Sequence, residues 1–329
     1  MKIKALLSLS LFSVLAASAI NTPFRNPFKR PASLEQESLQ DRIKGLKRIE
    51  FEDLEKLEDK QEKVVEKKES KKEEKISKLI TSGKGTWVNL WNYPTDIDKF
   101  TTRLKKYDID TIYLQVNRST TEVFKNKDAF DELLKKAHEA DIKVIGWSYC
   151  YLKDIDTDVR KFVKPALYTS PDGHRLDAMA ADIEENISLW AVKTYTERIK
   201  AELPKDYPLI AITFSPKIKQ DYPWKYIGEN WDVMMPMVYW HGTKDRSETG
   251  VYNFVKDSIA DLRRLTGKED LNIHLITDGD RTHHNEVKLS LEAAKELGIN
   301  AGVSIYPEHL ASDEMLDRLK DFKCAECGV

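Results

Sequence analysis

Between Gly83 and Phe322 the chain alternates short apolar runs with amphipathic segments, and this alternation constrains its fold more than any other feature. The runs at 86–91, 111–117, 143–150, 178–183, 209–215, 231–240, 271–278 and 301–306 are apolar or alternate with period two, as strands do. Segments at 97–107, 128–140, 187–203, 252–265 and 285–297 repeat apolar residues at helical spacing. Eight strands interleaved with helices over about 240 residues fit a closed (β/α)8 TIM barrel. A doubly wound open sheet usually shows a Gly-rich phosphate turn after its first strand, whereas here that strand runs into Trp91-Asn-Tyr-Pro94. The barrel domain is expected over 83–323.

The segments outside the barrel have a different composition. Lys2 and Lys4 precede an apolar run that ends at Ala17-Ser18-Ala19, the layout of a secretory leader cleaved after Ala19. That run is shorter than the roughly 20 residues of a membrane span, so an extracytoplasmic protein with no stable span after cleavage is expected. Residues 20–82 then form a Pro-containing linker and a stalk. Pro23, Pro27 and Pro31 break any periodicity, and 33–82 is dominated by Glu, Lys, Asp and Gln. Leu39, Ile43 and Leu46, then Leu54 and Leu57, keep helical spacing before it fades into the charged run Lys67–Lys75. So thin a stripe suits a solvated helix or coiled coil that offers self-association rather than chemistry.

Balanced charge narrows the partners. With 53 basic and 55 acidic residues the net charge is −2, which gives no expectation of nucleic acid or an anionic membrane as a partner. Only Cys150, Cys324 and Cys327 are present, too few to staple a secreted domain, so a large apolar core must hold it. Cys150, ending an apolar strand, reads as a small buried hydrophobe. Cys324-Ala-Glu-Cys327 lacks the second pair of a zinc site, and 324–329 reads as a tail with an optional disulfide.

The stretch Leu176-Asp-Ala-Met-Ala-Ala-Asp-Ile-Glu-Glu185 carries the chemistry. Side chains alternate along a strand, so Asp182 and Glu184 share a face, and they leave the strand at the end where barrels place their active sites. Acids so close together cannot flank a scissile bond from opposite sides as an ordinary acid and nucleophile do. Burial and like charge would instead keep one of them protonated near neutral pH. Glu184 would then protonate a leaving oxygen, and Asp182 would orient a nucleophilic group of the substrate itself, such as a 2-acetamido group. The competing reading is that the acids only open the helix that starts near Glu185.

Other strand ends carry polar and aromatic residues. They are Asn89 and Trp91, Gln115 and Asn117, Trp147 and Tyr149, Tyr239 and Trp240, Asp278 and Asp280, and Tyr306. Aromatic rings with polar tips beside carboxylates suit a sugar, which has apolar faces and hydroxyl edges. Asp278 or Asp280 offers an alternative partner for Glu184 across the barrel. Arg281, His283 and His284 follow them without helical His spacing, so the loop reads as substrate-facing, and no metal or cofactor is expected. Asn117-Arg-Ser119 and Asn186-Ile-Ser188 match the short N-glycosylation pattern.

Asp182-Ile-Glu184 after a short strand resembles the D-x-E signature of family 18 chitinases and family 25 lysozyme-type muramidases. Trp231-Asp-Val-Met-Met-Pro-Met-Val-Tyr-Trp240 is similar to the sixth-strand M-x-Y motif of the chitinase group, with Met237 and Tyr239 in the matching places. The resemblance covers about Gly83 to Phe322 and best suits glycosidase-like barrels outside the chitinases proper. A chitinase has Gly and a further Asp before its D-x-E, whereas here Asp177 is displaced and Ala180 and Ala181 intervene, and Tyr306 stands in place of its eighth-strand Trp. It implies Glu184 as proton donor and the Tyr239 hydroxyl as holder of the acetamido oxygen. The resulting expectation is a secreted glycoside hydrolase of an N-acetylhexosamine polymer, of peptidoglycan or chitin type. Glu184, Asp182 and Tyr239 would be catalytic, and Trp91, Asn117, Trp147, Tyr149, Met237, Trp240, Asp278, Asp280 and Tyr306 substrate-binding. The alternative is a non-catalytic carbohydrate-binding or wall-associated barrel.

Overall fold

The computed structural model describes residues 80–323 apart from 244. The expected leader, nearly all of the 20–82 linker and stalk, and the 324–329 tail with its Cys pair lie outside the described residues. Eight parallel strands close into a barrel in chain order: β1 (Lys84–Val88), β2 (Thr111–Arg118), β3 (Lys143–Cys150), β4 (Ala178–Ile183), β5 (Leu209–Phe214), β6 (Val233–Val238), β7 (Leu275–Asp278) and β8 (Val303–Tyr306). β8 pairs with β1 through Lys84 and Val303 and completes the ring. The fold is the (β/α)8 barrel that the alternation implies.

A helix follows each strand: α1 (Ile97–Lys106), α2 (Lys127–Glu139), α3 (Ile155–Ala166), α4 (Leu189–Glu202), α5 (Trp224–Asn230), α6 (Glu248–Thr266), α7 (His284–Glu296) and α8 (Asp313–Lys320). Periodicity does not reveal α3, α5 or α8. Local chemistry fixes the helix starts, because Asp96, Asn126, Asp154, Ser188, Ser247 and Ser312 each accept a hydrogen bond from a first-turn backbone N–H. Among the described residues, no helix is long and apolar enough to cross a membrane.

Alternation along the strands builds two apolar layers. Met179, Ala181 and Ile183 of β4 face outward into the layer between sheet and helices, while Ala178 and Ala180 face the barrel axis. Those two small residues leave room for the large rings of the neighbouring strands. Trp87 stacks on Tyr113 at 4.3 Å between ring centres and meets Trp147 edge-on at 5.8 Å. This aromatic floor fills the barrel beneath the site. Truncating one such ring to Ala would cost about 3–5 kcal/mol. Below it the buried His274 places Nδ1 3.0 Å from Thr81 O and 2.8 Å from Ala301 O, and Ile80 packs on the inner layer. The last residues of the expected linker therefore close the lower mouth of the barrel.

Candidate active site

At the C-terminal ends of the strands the barrel opens into a cavity of about 470 Å³. Its walls include Asn89, Trp91, Gln115, Arg118, Trp147, Tyr149, Asp182, Glu184, Phe214, Met237, Tyr239 and Tyr306, above Trp87, Ile212 and Ile276. The volume is that of a small-molecule site. Asp182, Glu184 and Tyr239 thus converge with Trp91, Trp147, Tyr149, Met237 and Tyr306, in agreement with strand alternation.

Asp182 and Glu184 line the same wall of this cavity and shift each other's acidity. Asp182 is 5% exposed and its Oδ1 has no hydrogen-bond partner, so its ionised form is poorly supported. Burial first, then the neighbouring Glu184, raise its pKa well above the usual carboxylate range. Burial also raises Glu184, although the Tyr149 hydroxyl and Asp182 pull it back by hydrogen bonding. The two acids titrate as a pair that keeps a proton to higher pH than either alone, with Asp182 its preferred holder.

Several contacts hold the end of β4 in place. The Tyr149 hydroxyl lies 3.2 Å from Glu184 Oε2, Lys219 Nζ donates to Glu184 O at 2.9 Å, and the Tyr222 hydroxyl donates to Ile183 O at 2.6 Å. Ser188, four residues beyond Glu184, caps α4 through Ala191 N. The acidic pair therefore ends the strand and does not open the helix. Across the cleft Tyr239 stacks on Tyr306 at 5.7 Å, and its hydroxyl makes no hydrogen bond among the described residues. Burial keeps that hydroxyl protonated, with its pKa well above the ordinary value. A protonated hydroxyl facing a cavity is a donor open to whatever enters that cavity.

Four expected site residues lie elsewhere. Asn117 does not reach the cavity, because β2 shifts register between Gln115 and Asn117. This bulge reverses the alternation and turns Asn117 outward, where it accepts from Ser148 Oγ and donates to Lys161 O at 2.7 Å. The bulge also occupies both ends of the amide of this glycosylation pattern, at a residue that is fully buried. Trp240 adjoins Tyr239 on β6's extension and so faces the other side, fully buried against the helices. Asp278 is 1% exposed and spends its carboxylate on His241 N, His241 Nδ1 and Asp280 N. Asp280 lies outside the cavity wall, with its carboxylate 3.6 Å from Arg281. Neither Asp stands ready to pair with Glu184 across the barrel.

The same bulge brings in a residue that the sequence reading missed. Arg118 enters the cavity where an unbroken strand would have placed Asn117. Trp87 and Phe214 were missed as well, although period-two alternation from Asn89 and Ile212 signals both. Asn89 donates to the Tyr306 hydroxyl at 3.4 Å, and Gln115 accepts from Leu90 N at 3.1 Å, which fixes two polar groups of the wall. His283 caps α7 through Asn285 N, and among the described residues no three His, Cys, Asp or Glu side chains gather to hold a metal ion. Cys150 is a buried thiol between Ser148 O and the Tyr195 hydroxyl, and burial pushes its pKa up.

No protein-family model matches the chain, and no curated protein matches it in sequence. Its fold is shared with solved glycoside hydrolases. The Bacillus cereus spore cortex-lytic enzyme SleL superposes with a TM-score of 0.55 at 11% identity, over 75% of this chain and 76% of that one. The PgaB (BpsB) glycoside hydrolase domain of Bordetella bronchiseptica gives 0.53 at 9% identity, over 74% and 99%. A putative chitinase A of Streptomyces coelicolor gives 0.51 at 9%, over 73% and 98%. At such identities the likeness establishes the barrel fold, and the chemistry has to be argued from the site.

Proposed function

We propose that this chain is an extracytoplasmic glycoside hydrolase of an N-acetylhexosamine-containing polysaccharide, of peptidoglycan or chitin type, that works by substrate assistance with retention. The observation that carries the reading is the meeting of Asp182, Glu184 and the unpartnered Tyr239 hydroxyl in one cavity. The glycosidase-like fold and the expected leader support it.

Each role follows from the local chemistry. The proton held between Asp182 and Glu184 goes from Glu184 to the leaving glycosidic oxygen as the C1–O bond breaks. The acetamido oxygen of the sugar, held by the Tyr239 hydroxyl, attacks C1 and forms a cyclic oxazolinium ion. Asp182 accepts from the acetamido N–H and balances its growing positive charge. Glu184, now ionised, takes a proton from water as that water opens the ring at C1, which restores the acid and leaves the original anomeric configuration. Trp147, Tyr149 and Tyr306 give the sugar an apolar wall.

The test is incubation of the full chain with peptidoglycan, chitin and a plant polysaccharide lacking acetamido groups, with reducing ends and the first-formed anomer followed by NMR. Release from an acetamido polymer with retained configuration is expected. An inverted product, or equal release from the plant polysaccharide, would contradict substrate assistance. Binding without release from any of them would favour the carbohydrate-binding barrel.

A further inference from the structure

The cleft contains a cation that makes no direct ion pair with its carboxylates among the described residues. Arg118 lies against Trp91 and Tyr149, with its guanidinium carbon 5.7 Å and 4.5 Å from the two ring centres. It makes no ion pair within 4.0 Å among the described residues. Its Nη2 reaches only the Tyr151 hydroxyl, at 3.5 Å, and its Nε is buried without a partner. Such burial of an unpaired donor is costly unless a ligand completes it. Nearby, Lys125 Nζ sits 4.8 Å over the Trp91 ring and Lys219 donates to the backbone of Glu184, neither with a carboxylate partner among the described residues.

The acids at this mouth offset these charges only in part. Asp182 and Glu184 hold one proton between them and so present one negative charge rather than two to Arg118, and Glu185 faces Lys153 at 3.9 Å. Arg118, Lys125 and Lys219 therefore stand against that one remaining charge, on a chain whose net charge is −2. The ring contacts engage the guanidinium face and leave N–H groups on its edge, a planar fork that matches the two oxygens of a carboxylate.

We infer that the cleft selects an acidic glycan, one whose sugar at or beside the scissile bond carries a carboxylate, and that Arg118 reads this group while Lys125 and Lys219 add attraction at the mouth. The inference rests on the glycosidase reading of the same cavity and narrows its substrate. The carboxylate could belong to an acidic ether on the hexosamine or to a neighbouring uronic acid, which share this chemistry.

The experiment is calorimetric titration of the full chain carrying Glu184→Gln, so that the probes are not consumed. The probes are neutral chitotetraose, a peptidoglycan tetrasaccharide with free lactyl carboxylates, a hyaluronan tetrasaccharide, and the methyl esters of the two acids. One of the acids is expected to bind about 10- to 100-fold more tightly than its own ester and than chitotetraose. Which acid does so identifies the source of the carboxylate. Adding Arg118→Gln should collapse that ratio, and Arg118→Lys, which keeps the charge but loses the fork, should restore it only in part.

Equal binding of acid and ester, or binding of none of the probes, overturns the inference. The acid-to-ester ratio needs no substitution at Arg118, so it decides the matter even if those variants fail to fold. Hydrolysis is scored separately with the unsubstituted chain. Cleavage of acid and ester at equal rates would remove the anion preference and keep the glycosidase, whereas a clear acid preference without cleavage of any probe would do the reverse.

Discussion

The Tyr149 hydroxyl stands 3.2 Å from Glu184 Oε2 and equally 3.2 Å from Glu185 Oε1. The end of β3 therefore bears on the acidity of the carboxylate at the end of β4, whose pKa burial raises first. A hydrogen bond to the ionised form lowers a carboxyl pKa, so Tyr149→Phe should raise that of Glu184 and move the alkaline limb of kcat/KM to higher pH. Asp182→Asn acts in the opposite direction. With a neutral neighbour, Glu184 loses its proton without the repulsion of a second carboxylate, and the alkaline limb moves to lower pH. The pH profiles of the two variants check the signs. Limbs that stay in place, or move together, would refute the shared proton.

The Tyr239 hydroxyl has no partner among the described residues, so Tyr239→Phe should leave folding intact and remove the donor proposed to act in the transition state. A fall of about 100-fold in kcat/KM is expected, mostly in kcat, together with an unchanged melting temperature. Full activity in this variant would take Tyr239 out of the mechanism.

Asn117 belongs to the scaffold. Asn117→Ala leaves the Ser148 hydroxyl and the Lys161 carbonyl unsatisfied between sheet and helix. A loss of about 1–3 kcal/mol in urea unfolding is expected, with KM unchanged. A raised KM at unchanged stability would return Asn117 to the cleft.

His274 makes stability depend on pH. Burial lowers its folded-state pKa from 6.5 to about 4. As pH falls below 6.5 the unfolded chain takes up this proton first. The contribution is therefore complete above 6.5 and fades until both states are protonated near 4, a span of about 3 kcal/mol. Between pH 4 and 7 the unfolding free energy of the natural chain should change by about that much more than that of His274→Gln. Parallel slopes would show that His274 titrates alike in both states.

What the sequence reveals follows the regularity of each strand. Asp182 with Glu184, and Met237 with Tyr239, lie on uninterrupted alternations, so their shared face could be read without coordinates. Asn117 and Arg118 exchange places through the one-residue bulge of β2, and nothing in Gln-Val-Asn-Arg marks it. Trp240 was an avoidable error, since adjacent residues of a strand cannot both face the axis. The fate of Asp278 depends on His241, a contact between neighbouring strand ends that sequence alone does not show. Helices α5 and α8, seven and eight residues long, are too short for their period to stand out.

Glu184→Gln tests the central claim most directly. The change keeps the size of the side chain and its place beside Tyr149 while removing the group proposed to give a proton to the leaving oxygen. Initial rates on an acetamido polymer that the natural chain degrades should fall at least about 100-fold, with circular dichroism and glycan binding retained. A Glu184→Gln chain that releases reducing ends at the natural rate would contradict the account.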